Sequence, residues 1–252
     1  MFGKLFVKEI KGYILVPIIM VLALVLAWDF FLRSRVGTWP LDAIVGSAFV
    51  VTIIPLIWSV AMAFYTLNAE WNSNTIYLLL SLPTSGLKTI GAKMLAIFCG
   101  VVVIMVFSVS SYFLIFQDLI QGYSHFYVNA GLTMSTLYWA GISLLLFSIL
   151  SIALCQFSFL IGRVVPKGRG ITTCIALIAS IKLSSKIFDF LNPLLKCVTV
   201  IDSQLSPFIF KTDNISISSF GSTNITHLII FLLLSGLFFI LSGVIFEKRI
   251  EL

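Results

Sequence analysis

The chain has 252 residues, of which 60% are hydrophobic and only 10% charged, with a mean hydropathy of +1.11. Soluble domains average about 25% charged residues, so a water-soluble globule is excluded and a polytopic membrane protein is indicated. The net charge of +6 is spread along the chain rather than gathered in one patch, which excludes a nucleic-acid-binding surface, and the short alternating segments of a β-barrel are absent.

Six apolar runs can be drawn, near 13–32, 43–67, 92–117, 135–162, 171–191 and 227–246. Each is long enough to cross a bilayer as a helix. The predicted fold is therefore all-α, with six transmembrane helices in one membrane domain over 1–252. A lysine-bearing stretch, residues 1–12, precedes the first run and reads as an interfacial helix. That first run ends in Trp28-Asp29, not in a small-residue cleavage site, and further spans follow it, so it reads as a retained span rather than a signal peptide. Pro55 falls in the middle of the second run, where a missing backbone donor predicts a kink and a possible hinge on a translocation path.

Between the second and third runs lies the stretch NAEWNSNTIYLLLSLPTSGLKTIGAK, residues 68–93. Ile76, Leu79, Leu80 and Pro83 fall at i, i+3, i+4 and i+7, one face of a short helix. Asn72, Ser73 and Asn74 can cap its start, and Pro83 stops it. No basic residue lies between Glu70 and Lys88. The segment reads equally as a helix floating in the headgroup layer or as a knob that docks in a groove of a partner.

Later in the chain, Lys182 and Lys186 fall in the fifth run. Ionisable groups inside a span are functional candidates. The alternatives are snorkelling to the outer interface, a span that ends early with a re-entrant helix after it, or a cationic lining for an acidic or amphipathic substrate. The segment 192–226 is rich in Ser, Asn, Thr and Ile and reads as an outer, re-entrant stretch. It carries two glycosylation-type triplets, starting at Asn214 and Asn224, which would have no meaning in a bacterial protein. The four cysteines, Cys99, Cys155, Cys174 and Cys197, show no metal or disulfide spacing, and His125, outside the runs, and His227, at the edge of the sixth, lie far apart.

Basic residues favour the cytoplasmic side of membrane proteins. With the N-terminus inside, the inner segments hold ten lysines and arginines and the outer segments four. Both termini are therefore expected in the cytoplasm, together with the segment 69–91.

The pattern of Glu70, Trp71, Thr75, then Leu78-Leu79-Leu80-Ser81-Leu82-Pro83-Thr84-Ser85, with Lys93 heading the next span, resembles the cytoplasmic signature of ABC-2 type transporter permeases. The basic-acidic tail Glu247-Lys248-Arg249-Ile250-Glu251-Leu252 and the Lys-bearing N-terminal segment are similar to that family's ends. One departure is Gly86, where many members carry Arg. The resemblance implies a cytoplasmic coupling helix between spans 2 and 3 that docks on a separate ATPase. It implies Glu70, Trp71, Thr75, Ile76, Leu79, Leu80, Pro83 and Lys93 as the coupling residues. It also implies a second permease subunit, identical or homologous, two ATPase subunits, and residence in a bacterial plasma membrane. The chain carries no G-x-x-x-x-G-K-[ST] run, so ATP and Mg would sit on the partner and this chain would hold no cofactor or catalytic residue. Export of an amphipathic peptide, lipid-like or drug-like compound follows from the family. The alternatives are an ion-driven secondary transporter, an intramembrane enzyme, or a permease that confers immunity by expelling a toxin. No carboxylate sits at mid-span to favour the first of these, and no residues inside the spans favour the second.

Overall fold

The computed structural model of the chain describes residues 2–36, 38–39, 41–72, 85–122, 130–165, 168–196, 211–212, 215–216 and 225–250. These are almost wholly helical. Helix α1 (Phe2–Glu9) runs through a π-helical turn (Ile10–Ile14) into α2 (Leu15–Arg35). Then come α3 (Leu41–Asn72), α4 (Gly86–Gly122), α5 (Ala130–Val164), α6 (Arg169–Lys196) and α7 (Ile225–Ile250). Strands β1 (Lys211–Thr212) and β2 (Ile215–Ser216) pair antiparallel.

Among the described residues six helices are long and apolar enough to cross a membrane, so the chain is a multi-pass membrane protein. Each overlaps one of the six apolar runs. The helices overshoot the runs because backbone donors and acceptors must stay paired until they reach water. Pro55 is buried, and α3 continues past it to Asn72. The helix expected over 1–12 is joined to the first span rather than set off from it. The extra residue of the π turn, at Ile10–Ile14, takes up the sequence Lys11-Gly12 without ending the helix.

Helix α4 is the central post. It packs along α1, α2, α3, α5 and α7, while α5 also packs against α3, α6 and α7. The main apolar core lies where α3, α4 and α5 meet, around Trp58, Met62, Ile97, Val101 and Ile152. Gly100 faces Trp58 there, and a Cβ at that position would fall inside the indole ring. Only glycine at this position leaves room for the ring against α4. A second cluster of Leu150, Leu154, Ile230, Leu234 and Phe238 joins α5 to α7. A third, of Leu67, Ile90, Phe159, Leu160 and Phe246, closes one end of the bundle.

Buried hydroxyls are handled locally. Ser108, Ser158, Ser184 and Ser242 each donate to the carbonyl one turn back, which satisfies them in a medium without water. Ser59 and Ser151 meet at 3.2 Å and tie α3 to α5. Gln156 is fully buried on α5 and makes no side-chain hydrogen bond among the described residues.

Candidate functional site: the clamped root of the segment between α3 and α4

The bundle gathers one set of helix ends, those of α1, α3, α4, α5 and α7, into a network of polar contacts. The end of α3 is held first by charge. Lys93 Nζ, on the second turn of α4, lies 2.8 Å from Glu70 Oε2 and donates to Glu9 Oε1 at 3.0 Å. All three side chains are 1% exposed. Lys8 Nζ, half exposed on α1, donates to Glu70 Oε1 at 3.4 Å. Two carboxylates and two ammoniums thus alternate as Glu9, Lys93, Glu70 and Lys8, and their formal charges cancel.

An arrangement of this kind has a definite physical character. Ions removed from water lose several kcal/mol of hydration each, and only close pairing returns it. A buried pair therefore holds one geometry and strongly penalises loss of a single partner. Here Lys93 serves two acids from different helices, so α1, α3 and α4 are locked to one another at one point.

The second hold on α3 is a stack. Arg163, at the end of α5, donates from Nη2 to Asn68 Oδ1 at 2.8 Å. Its guanidinium lies 5.4 Å from the Trp71 ring centroid and 4.9 Å from that of Phe159. Trp71 meets Phe159 edge-on, with centroids 6.0 Å apart. A planar cation over aromatic faces keeps its charge accessible while its body is packed.

The start of α4 is held from another side. Gly86 N donates to Glu247 Oε1 of α7 at 2.8 Å. The carboxylate thereby satisfies an orphan donor at the helix N-terminus and complements its dipole. A Cβ on Gly86 would lie 2.9 Å from Glu247 Cγ, 2.9 Å from the Gly243 carbonyl oxygen and 3.0 Å from Phe246 Cδ1. Glycine at 86 is therefore a requirement of the α4–α7 approach.

Of the residues singled out in the sequence, Glu70 and Lys93 are brought together as a bonded pair, and Trp71 stands beside them on α3. Thr75, Ile76, Leu79, Leu80 and Pro83 lie outside the described residues. Lys182 and Lys186 are exposed on α6, away from this network, and Pro55 is buried in the middle of α3. Sequence reasoning missed Glu9, Lys8, Asn68, Phe159, Arg163 and Glu247. Glu9 had one available signal: it is the only acid among three lysines at the start of the chain.

Among the described residues no group of His, Cys, Asp and Glu could hold a metal ion. His227 lies against Phe188, with ring centroids 5.0 Å apart. Cys155 is buried, and Cys99 and Cys174 are exposed as free thiols. No family model, curated protein or solved structure matches the chain.

Proposed function

We propose that this chain is the membrane subunit of an ATP-driven exporter of the ABC-2 permease kind, powered by a separate ATPase that docks on the segment between α3 and α4. The observation that carries this reading is the clamp at the root of that segment. Glu70 and Trp71 are held by α1, α4 and α5 on one side, and Gly86 is capped by Glu247 of α7 on the other. A push on the intervening residues 73–84 would therefore act on five helices at once. A loop that merely floated at the interface would need no buried ion network at its base.

In this reading Ile76, Leu79, Leu80 and Pro83 form the docking face, with Thr75 on the same segment. Glu70 and Lys93 act behind it as positioning residues. Helix docking in a groove is read from anchors at such spacing. ATP binding closes two ATPase subunits, and the docked segment carries that motion into α3 and α4. Coupling requires the two permease states to differ in their contacts with the ATPase, because a partner indifferent to state shifts no equilibrium. ATP and Mg belong to that partner. A second permease subunit, identical or homologous, completes the passage. The chain sits in a bacterial plasma membrane with both termini in the cytoplasm, as the ten-to-four distribution of basic residues favours.

The cargo class is an amphipathic peptide, lipid-like or drug-like compound, carried outward or expelled from the membrane as a form of immunity. The test is reconstitution with an ABC ATPase subunit, for which the expected source is a gene adjacent to that of this chain. Vanadate-sensitive ATP hydrolysis that requires this chain and is stimulated by substrate is expected. Transport driven by an ion gradient without any ATPase would instead select a secondary transporter.

A further inference from the structure

Helix α6 raises a problem that the clamp does not address. The membrane span within it is Arg169–Pro193, 25 residues, and only 11% of its most apolar stretch is buried. One face carries Ile171, Ile175, Ile178, Lys182, Lys186 and Asp189, all exposed. Their spacing follows the turns of a helix, so they form a single stripe. The half nearer Arg169 is apolar and the other half is charged.

Lys182 lies 13 residues past Arg169, about 20 Å along the helix. With Arg169 at one face of the bilayer, the far edge of a hydrocarbon core about 30 Å thick is about 10 Å away, beyond the reach of a four-carbon stem. Snorkelling explains Lys186 well enough but fails for Lys182. Neither lysine makes an ion pair among the described residues, and at i, i+4 the two repel. Asp189 leaves the trio with a net positive charge. A cationic stripe inside a span that faced lipid would be expensive, and such residues face a hydrated cavity or a counter-charge.

The geometry points to this stripe as a hydrated binding lane for an anionic amphiphile. The anionic head lies between Lys182 and Lys186, and the apolar tail lies along Ile178, Ile175 and Ile171 towards the basic end of the bundle. The division of the stripe into an apolar and a cationic half matches a single-tailed anion and mismatches a neutral or cationic one. This inference rests on the exporter reading for its purpose, since it names the class of cargo. The lane itself is a binding statement that stands without ATP.

The test uses the full chain in phosphatidylcholine nanodiscs, with dodecyl phosphate as probe and dodecyl maltoside as its neutral twin. Calorimetric titration is expected to show tighter binding of dodecyl phosphate by about tenfold or more. Lys182→Met should remove that advantage, Lys182→Arg should retain it, and Leu232→Met on the exposed face of α7 should leave it unchanged. Equal affinity for the two probes, or an advantage that survives Lys182→Met, overturns the proposal.

A second measurement guards against a misfolded variant. A water-soluble thiol reagent, with labelling mapped by mass spectrometry, should modify Lys182→Cys much faster than the native Cys99. Dodecyl phosphate should slow that labelling, and equal rates at the two positions overturn the hydrated lane. Adding phosphatidylglycerol to the nanodisc separates the sources of the anion. Competition assigns the lane to a bilayer lipid, and its absence assigns it to a free amphiphile. Probe binding without any ATP-driven transport would fault the exporter reading alone, whereas transport without probe selectivity would fault the lane alone.

Discussion

Lys93 lies 2.8 Å from Glu70, 23 residues earlier in the chain, and both side chains are sealed from solvent. The same ammonium bonds Glu9 at 3.0 Å. One lysine thus fixes the N-terminal helix and the end of α3 against the beginning of α4.

The first prediction follows from the asymmetry of buried ion pairs. Lys93→Met leaves two carboxylates buried side by side and should destabilise by about 3–5 kcal/mol. The triple change Glu9→Gln, Glu70→Gln, Lys93→Met removes the charges together and should cost much less than the sum of its parts. Thermal unfolding in detergent or nanodiscs reads both, and additive losses would show that the three groups act independently.

Gly86 supplies a second prediction. Gly86→Ala places a methyl group 2.9 Å from Glu247 Cγ and from a backbone oxygen, an overpacking that typically costs about 1–3 kcal/mol. Glu247→Ala removes only the cap and should cost about 0.5–2 kcal/mol. The Gly86→Ala, Glu247→Ala pair still meets the Gly243 carbonyl, so removal of the Glu247 side chain should rescue only part of the loss. Full rescue in an unfolding assay would show that the α4–α7 backbone approach is not tight.

For Gly100 the strain is relieved by a different partner. Gly100→Ala drives a methyl into the Trp58 ring, and Trp58→Phe should recover part of the lost stability. Two losses that simply add would place the ring elsewhere.

How much of this was legible in the sequence depends on the range over which each signal acts. The six spans were visible because a run of about 20 apolar residues is a one-dimensional signal that survives any tertiary arrangement. Glu70 and Lys93 stood out as charges bordering apolar runs, but their bond could not be read. Nor could the bond between Lys93 and Glu9, which are 84 residues apart, because side-chain pairing across helices leaves no periodic trace. Gly86 appeared as a departure from a familiar pattern, and only the approach of Glu247 and Gly243 explains it. The junction of α1 and α2 was hidden for another reason. Lys11-Gly12 reads as a helix end by composition, whereas a π turn carries the backbone through it.

A fourth prediction concerns Gln156, fully buried without a side-chain hydrogen bond among the described residues. An unbonded buried amide costs about 1–3 kcal/mol. Gln156→Leu should therefore raise the unfolding temperature. A fall would show that the amide is bonded in the membrane and that its partner contributes to the fold.

The most direct test of the central claim is Leu79→Asp in the full chain co-expressed with the proposed ATPase partner, alongside Glu70→Ala. The account predicts that Leu79→Asp keeps the unfolding temperature of the isolated chain but loses both ATPase capture and substrate-stimulated hydrolysis. Glu70→Ala should lower the unfolding temperature as well, because it breaks the clamp. If both variants hold the ATPase and transport at the normal rate, the segment between α3 and α4 does not couple the chain to an ATPase, and the exporter reading fails.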